Sequence, residues 1–229
     1  MMKKLILVLL ILSLSLWAQQ MTFSGIKGNL VHELSAVIIK KAYANIGIDA
    51  KFMFLPGERA LKHSNDGLTD GEISRIKRVS QKYRNLLLIP VEINSVEAAV
   101  FTRNDSIVIE KWSDLKPYKV VIVKGTKFIE KGTKNMNPFV VSKFKIAFDM
   151  LLAKRADIVV VPKITGDTFT KKARYKRITR LDVSLKRLAL HHFIHKKNRT
   201  LLEKITQSLQ KMSDSGELEK IRNNFISSH

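Results

Sequence analysis

The chain has 229 residues, with 41 Lys and Arg against 20 Asp and Glu, a formal net charge of +21 and no cysteine. Lack of cysteine excludes disulfides, a thiolate metal site, a catalytic thiol and a lipidated N-terminal cysteine. At 45% hydrophobic and 27% charged, the composition is globular, of one large domain or two small ones.

Lys3 and Lys4 precede an apolar run from Leu5 to Trp17, which ends at Ala18. A membrane-spanning helix needs about 20 apolar residues, so this shorter run before a small residue reads as a secretory leader. Cleavage after Ala18 is expected, an uncleaved anchor being the alternative. Removing 18 residues from 229 leaves 211, and removing two lysines from +21 leaves +19. Export without lipidation points to the periplasm. Strong basic charge commonly signals nucleic acid, which an exported protein rarely meets. The basic stretches KKARYKRITR (171–180) and LKRLALHHFIHKKNR (185–199) hold one Tyr and one Phe, too few for base stacking. A solvated basic face is expected, with an anionic surface as the alternative, and small ligands should be biased toward anions.

Residues 20–26 suit a short strand, and Asn29 caps a helix with Leu30, Leu34, Val37 and Ile38 on one face. Gly47 ends that helix, and Ile48, Ala50, Phe52 and Phe54 alternate along a half-buried strand. A short helix, ERALKHSN, follows Pro56 and Gly57. The next stretch, NDGLTDGEISRI (65–76), fails as a calcium loop, because counting from Asp66 puts Leu68 third and Lys77 twelfth. It reads instead as a turn into the strand DGEISRI, followed by LLLIPVEI and the extended VEAAVFTRND. YKVVIV and FVV are strands, Gly125-Thr126 opens a helix, and another helix spans 142–154 with Phe144, Phe148, Leu151 and Leu152 inward. DIVVV (157–161) and LKRLALHHFIHKKN complete the extended segments. Two amphipathic helices close the chain, Leu201, Leu202, Ile205, Leu209 and Met212 forming one stripe. Two βα-rich blocks with parallel pairing, joined by two extended crossings, imply two lobes with a cleft.

Several stretches, in order, carry a resemblance: LPGERAL with DGLTDGEISRI, SDLKPYKVVIVKGT, LLAKRADIVVV and LHHFIHKKNRTLLEKITQSLQKMSDSGELEKI. In these the chain resembles family 3 of the bacterial extracellular solute-binding proteins, the amino-acid receptors of ABC transporters. The resemblance implies an α/β, two-lobed type II periplasmic-binding-protein fold, each lobe a mostly parallel sheet flanked by helices. Lobe one would span 19–100 and 187–229, and lobe two 101–186, with hinge crossings near Val100 and Ala189.

Such folds hold ligand between the lobes at the carboxyl ends of strands. Arg75, delivered with Ser74 by the DGEISRI strand, is the first candidate for an anion, since a guanidinium matches two carboxylate oxygens. The alternative is pairing with a nearby acid. Arg59 is a second candidate, with a structural role as its alternative. In lobe two, Gly125 and Thr126 would hold the anionic end of the ligand through backbone N–H groups and a hydroxyl. Glu72 could meet a cationic group, or be solvated; Phe23 could stack on ligand, or lie in the core. Two departures bear on α-amino acids: SRIKRVSQKYR replaces the family's Thr-Pro-Glu-Arg type segment, and Pro162 stands where an acid holds the ammonium group. Asp157 matches a usually structural aspartate.

The cyclohexadienyl dehydratases resemble the same family, and their chemistry needs a cleft acid, for which Glu72 is the nominee. His191 and His195 would share a strand face about 13 Å apart, too far for joint metal ligation, and His192 faces away. Hinge or surface positions are expected for all three. The expectation is a monomeric, non-enzymatic periplasmic receptor without cofactor or metal. It closes on a small anionic or amino-acid-like ligand and presents it to an ABC permease or a sensor.

Overall fold

The computed structural model describes residues 19–228, so the leader expected at residues 1–18 lies outside the described residues. The chain begins with β1 (Gln19–Ile26), α1 (Leu30–Ala44), β2 (Ile48–Leu55), α2 (Gly57–Asn65), β3 (Gly71–Arg75) and α3 (Val79–Lys82). It crosses through β4 (Leu86–Thr102) into β5 (Val120–Val123), α4 (Lys127–Gly132), β6 (Phe139–Val141), α5 (Phe144–Leu152), β7 (Ile158–Pro162) and α6 (Lys163–Thr170). The return is β8 (Thr179–His195), and α7 (Leu202–Asp214) and α8 (Glu217–Ser228) end the chain.

Local chemistry sets these boundaries. The Asn29 carboxamide oxygen accepts from the N–H groups of Val31 and His32, satisfying two otherwise unpaired donors at the start of α1. Gly47, at φ +77°, makes the left-handed turn from α1 into β2. The buried stripe of α1 runs through Leu34, Ile38 and Ala42. Val37 is 46% exposed, correcting the expected inward set, because it is rotated about 100° from Ile38 on the helix.

All strands belong to one eight-stranded sheet in the order β2-β1-β3-β8-β4-β7-β5-β6. On one side, β1 pairs parallel with β2 and β3; on the other, β5 pairs parallel with β6 and β7. Between them β4 and β8 run antiparallel to their neighbours and to each other, joining the two parallel sets. The sequence suggested LLLIPVEI and VEAAVFTRND as separate segments, but they are one 17-residue strand. Pro90, which has no N–H to donate, sits where the register with β8 shifts between Leu88 and Glu92.

Each parallel set has its own core. In lobe one, Phe23, Ile73, Ile93 and Ile194 of the sheet pack on Leu34, Ile38 and Tyr43 of α1 and on Leu209 and Met212 of α7. In lobe two, Val121, Val159 and Val161 pack on Phe148 of α5 and Phe169 of α6. The other sheet face there places Ile122 and Val160 against Ile129 of α4 and Leu115. Burial of these side chains contributes about 1.5–3 kcal/mol each, so each lobe has its own stabilising cluster.

The registers locate the crossing between the two parallel sets. β3 pairs with β8 as far as His191, and β7 pairs with β4 from Ala98 onward. From Ser95 to Glu97, opposite Arg187 to Ala189, β4 and β8 have only each other as partners. A two-stranded ribbon twists and bends more readily than a sheet interior. Ala189 is in this ribbon, whereas Val100 is fully buried and bonded to β7 at Val160, so it belongs to the lobe-two sheet.

Candidate functional site

β3 turns its side chains into an interior polar cluster. Glu72 is 0% exposed, and its Oε2 accepts from Ser24 Oγ at 2.9 Å and Ser64 Oγ at 2.8 Å. Arg75 donates from Nε to Glu72 Oε1 at 2.7 Å and from Nη2 to the Gly57 carbonyl at 3.0 Å. Burial pushes the Glu72 carboxyl above its ordinary range, opposed by the Arg75 charge and the serine hydrogen bonds. Glu72 is thus neither a cation receptor nor an exposed proton donor, which corrects both nominations: its oxygens are turned inward. For Arg75 the geometry is that of the alternative, pairing with an acid, and two of its donors are committed within lobe one. Ser74 is also fully buried, with an Oγ that has no partner. Phe23 is 0% exposed, with its ring 4.7 Å from Tyr43 and 4.9 Å from His192, so it is a core residue and stacks on no ligand. Arg59 is exposed on α2.

In lobe two, Gly125 takes φ +93° and its N–H donates to the Glu130 carboxylate at 2.6 Å. A carboxylate of the chain itself thus occupies the donor proposed for ligand. Thr126 precedes α4 without making a side-chain cap, leaving its hydroxyl uncommitted. Asp157 is structural, accepting from the Lys119 N–H at 2.8 Å.

The main cleft, about 1120 Å³, begins one residue beyond Arg75 on lobe one and one residue beyond Thr126 on lobe two. Ile76, Lys77 and Arg78, following β3, form one wall; Trp112, Lys127, Phe128 and Lys131 form the other. Its floor is the crossing pair, with Pro90 and Glu92 from β4 and Lys186, Leu188, Ala189 and His191 from β8. Trp112 lies flat on Gly132, where an added Cβ would come within 2.6 Å of three ring atoms. Lys127 pairs with Glu130 at 3.0 Å, and Glu92, the one acid of the lining, pairs with Arg187. Lys77, Arg78, Lys131 and Lys186 form no ion pair among the described residues. The signal for these residues was present in the SRIKR run and in Lys127 and Lys131 on either side of Phe128, but the sequence reading placed the basic face at 171–180 and 185–199 instead.

A second hollow of about 250 Å³ lies between α1, α6 and α8, lined by Val31, Leu34, Pro162 and Arg222 among others. Its charges are matched locally, Lys163 to Glu97 at 3.9 Å and Arg222 to Glu219 at 2.5 Å. Pro162 opens onto this hollow and not the larger cleft.

The three histidines of β8 are buried, correcting the surface alternative: His191 is 3% exposed, His192 0% and His195 8%. His192 donates from Nδ1 to the Glu72 carbonyl at 2.9 Å, so its Nε2 accepts from Tyr43 Oη at 3.0 Å. Burial lowers its pKa to about 4. His191 donates from Nδ1 to the Val91 carbonyl at 2.9 Å, and its Nε2 has no partner. No group of three or more His, Asp or Glu suited to a metal occurs among the described residues.

No protein-family model matches the chain. Among curated proteins it is similar to an uncharacterized protein of Shewanella oneidensis, 25% identical over 194 residues, covering 81% of this chain and 73% of that protein. Solved structures with a similar fold include an ancestral cationic amino acid solute-binding protein, with a TM-score of 0.74 and 13% identity, covering 92% of this chain and 97% of that one. A histidine kinase sensor domain with similarity to periplasmic binding proteins gives a TM-score of 0.65 and 18% identity, covering 90% and 95%. The chain has the two-lobed periplasmic-binding-protein fold expected from its sequence.

Proposed function

We propose that the protein is a periplasmic receptor of the family 3 solute-binding type that closes its lobes, bounded near residues 100 and 187, on a small anionic ligand. It presents that ligand to an ABC permease or a sensor and performs no chemistry on it. The observation that carries this reading is the cleft: floored by the β4–β8 crossing, walled by both lobes, and lined by five Lys or Arg with one acid already paired. Low-dielectric walls of one sign concentrate counter-ions between them. The ancestral relative named above is a cationic amino acid binder; a cationic ligand would be repelled by Lys77, Arg78, Lys131 and Lys186 in this chain. Ligand selects the closed population in proportion to its preference for that state.

A thermal-shift screen of organic acids, sugar acids and amino acids tests the reading. Saturable stabilisation by an acidic compound is expected, on the order of 3 kcal/mol at a hundredfold excess over Kd. Uniform absence of stabilisation across the panel would count against a small-molecule receptor.

A further inference from the structure

We infer that the ligand carries at least two negative charges and a hydroxyl, and that its charge is what allows the lobes to approach; this rests on the receptor reading above. Two independent features of the cleft support it.

The first is the distribution of charge over both walls. Lys77 and Arg78 stand on the lobe-one side, Lys127 and Lys131 on the lobe-two side, and Lys186 at the floor. Of these, only Lys127 has an acidic partner. Closure brings like charges together and removes water between them, and both changes strengthen the repulsion. These charges therefore oppose closure. A zwitterionic amino acid adds no net charge, and a monoanion neutralises one wall. An anion with two or more acid groups spans both walls and turns repulsion into attraction on each side.

The second is His191. Its Nδ1–H is committed to the Val91 carbonyl, so the tautomer leaves Nε2 as an acceptor, and that atom is buried without a partner. The same imidazole lines the cleft floor. A buried acceptor left unmade is costly, and a ligand hydroxyl brought onto it as the lobes close would satisfy it, whereas a fully ionised carboxylate or phosphate offers no proton. Hydroxy-polycarboxylates and sugar phosphates share this combination.

Trp112, on the lobe-two wall, is the sole tryptophan from residue 19 onward and reports on the cleft directly. The full chain carrying Trp17→Phe, in which Trp112 is the only tryptophan, is titrated with citrate, tricarballylate (citrate without its hydroxyl), glucose 6-phosphate, glutamate and arginine while Trp112 fluorescence is followed. Citrate or glucose 6-phosphate is expected to saturate the signal at concentrations about tenfold or more below glutamate and arginine. Whichever of the two saturates first identifies a carboxylate or a phosphate source. Arg78→Ala and Lys131→Ala should each weaken that binding about tenfold, since each removes one charge-assisted contact. Where citrate binds, it should lead tricarballylate, and His191→Phe should close the gap; if that variant does not fold, His191→Leu, which also lacks an acceptor, serves. Tighter saturation by an amino acid than by either polyanion overturns the inference and leaves the receptor reading intact. Indifference to both wall substitutions, or no polyanion signal at all, overturns it as well.

Discussion

Arg75 and Glu72 show how a single pair decides between ligand site and scaffold. Both lie within lobe one, the carboxylate fully buried and the guanidinium side chain 13% exposed. Removing one partner of such a buried pair costs about 3–5 kcal/mol, because the other is left uncompensated. Arg75→Ala should lower stability by about that amount at pH 7 in urea denaturation. Burial already raises the Glu72 pKa, so part of the loss should return as pH falls toward 4.5 and the carboxyl is protonated. A variant as stable as the parent at pH 7 would instead free Arg75 for ligand. The histidines act with the opposite sign. His32 is lowered to about 3 by burial and by the Arg75 charge, and His192 to about 4 by burial, so both stay neutral in the fold. Below pH 6.5 the unfolded chain takes up protons that these sites refuse, and stability falls with pH, by about 2 kcal/mol per histidine at pH 5. Urea midpoints at pH 7.5 and 5 check this; equal midpoints would mean that the histidines can protonate in place. Residue roles were the least legible part of the sequence. Nothing in DGEISRI distinguishes an arginine aimed at solvent from one folded back three residues onto Glu72, since that depends on Ser24, Ser64 and Gly57 from elsewhere in the chain.

At the scale of elements, the turn before β3 depends on a glycine for reasons of space rather than dihedral freedom. A Cβ on Gly71 would lie 2.1 Å from the Phe193 carbonyl oxygen and 2.9 Å from the Ile194 Cα, both backbone of β8. Gly71→Ala must separate β3 from β8, and a loss on the order of 3 kcal/mol is expected by thermal or chemical denaturation. Gly216, at φ +74° with open space around its Cβ position, should tolerate alanine at about 1 kcal/mol. Comparable losses at both sites would refute the steric argument at Gly71. Most elements were readable, because amphipathic periods and caps such as Asn29 act locally. The crossing strands were not readable as units. Pro90, Asn94 and Ser95 interrupt the apolar alternation of β4, and only pairing with β8 carries the strand across them.

For the whole molecule, lobe architecture was legible from the order of the stretches, while the position of the cleft lining was not. Cleft walls are made where distant segments meet, and Lys77, Trp112 and Lys131 become neighbours of one space only after folding. Charge is also unequal between the halves. Residues 101–186 hold 20 Lys and Arg against 8 Asp and Glu, whereas the rest of the described chain holds 19 against 12. The excess on lobe two should draw anions first to that wall, at a rate that falls with ionic strength. Because the chain has no cysteine, labels can be placed without background. Leu68 on lobe one and Val108 on lobe two are 68% and 73% exposed, so Leu68→Cys and Val108→Cys would carry a fluorescence pair with one label on each lobe. Energy transfer between the two labels, followed through a titration with citrate, glucose 6-phosphate and glutamate, measures closure itself. A saturable approach of the labels with an anionic compound is predicted, and a separation unchanged by every compound would contradict a receptor that closes on its ligand.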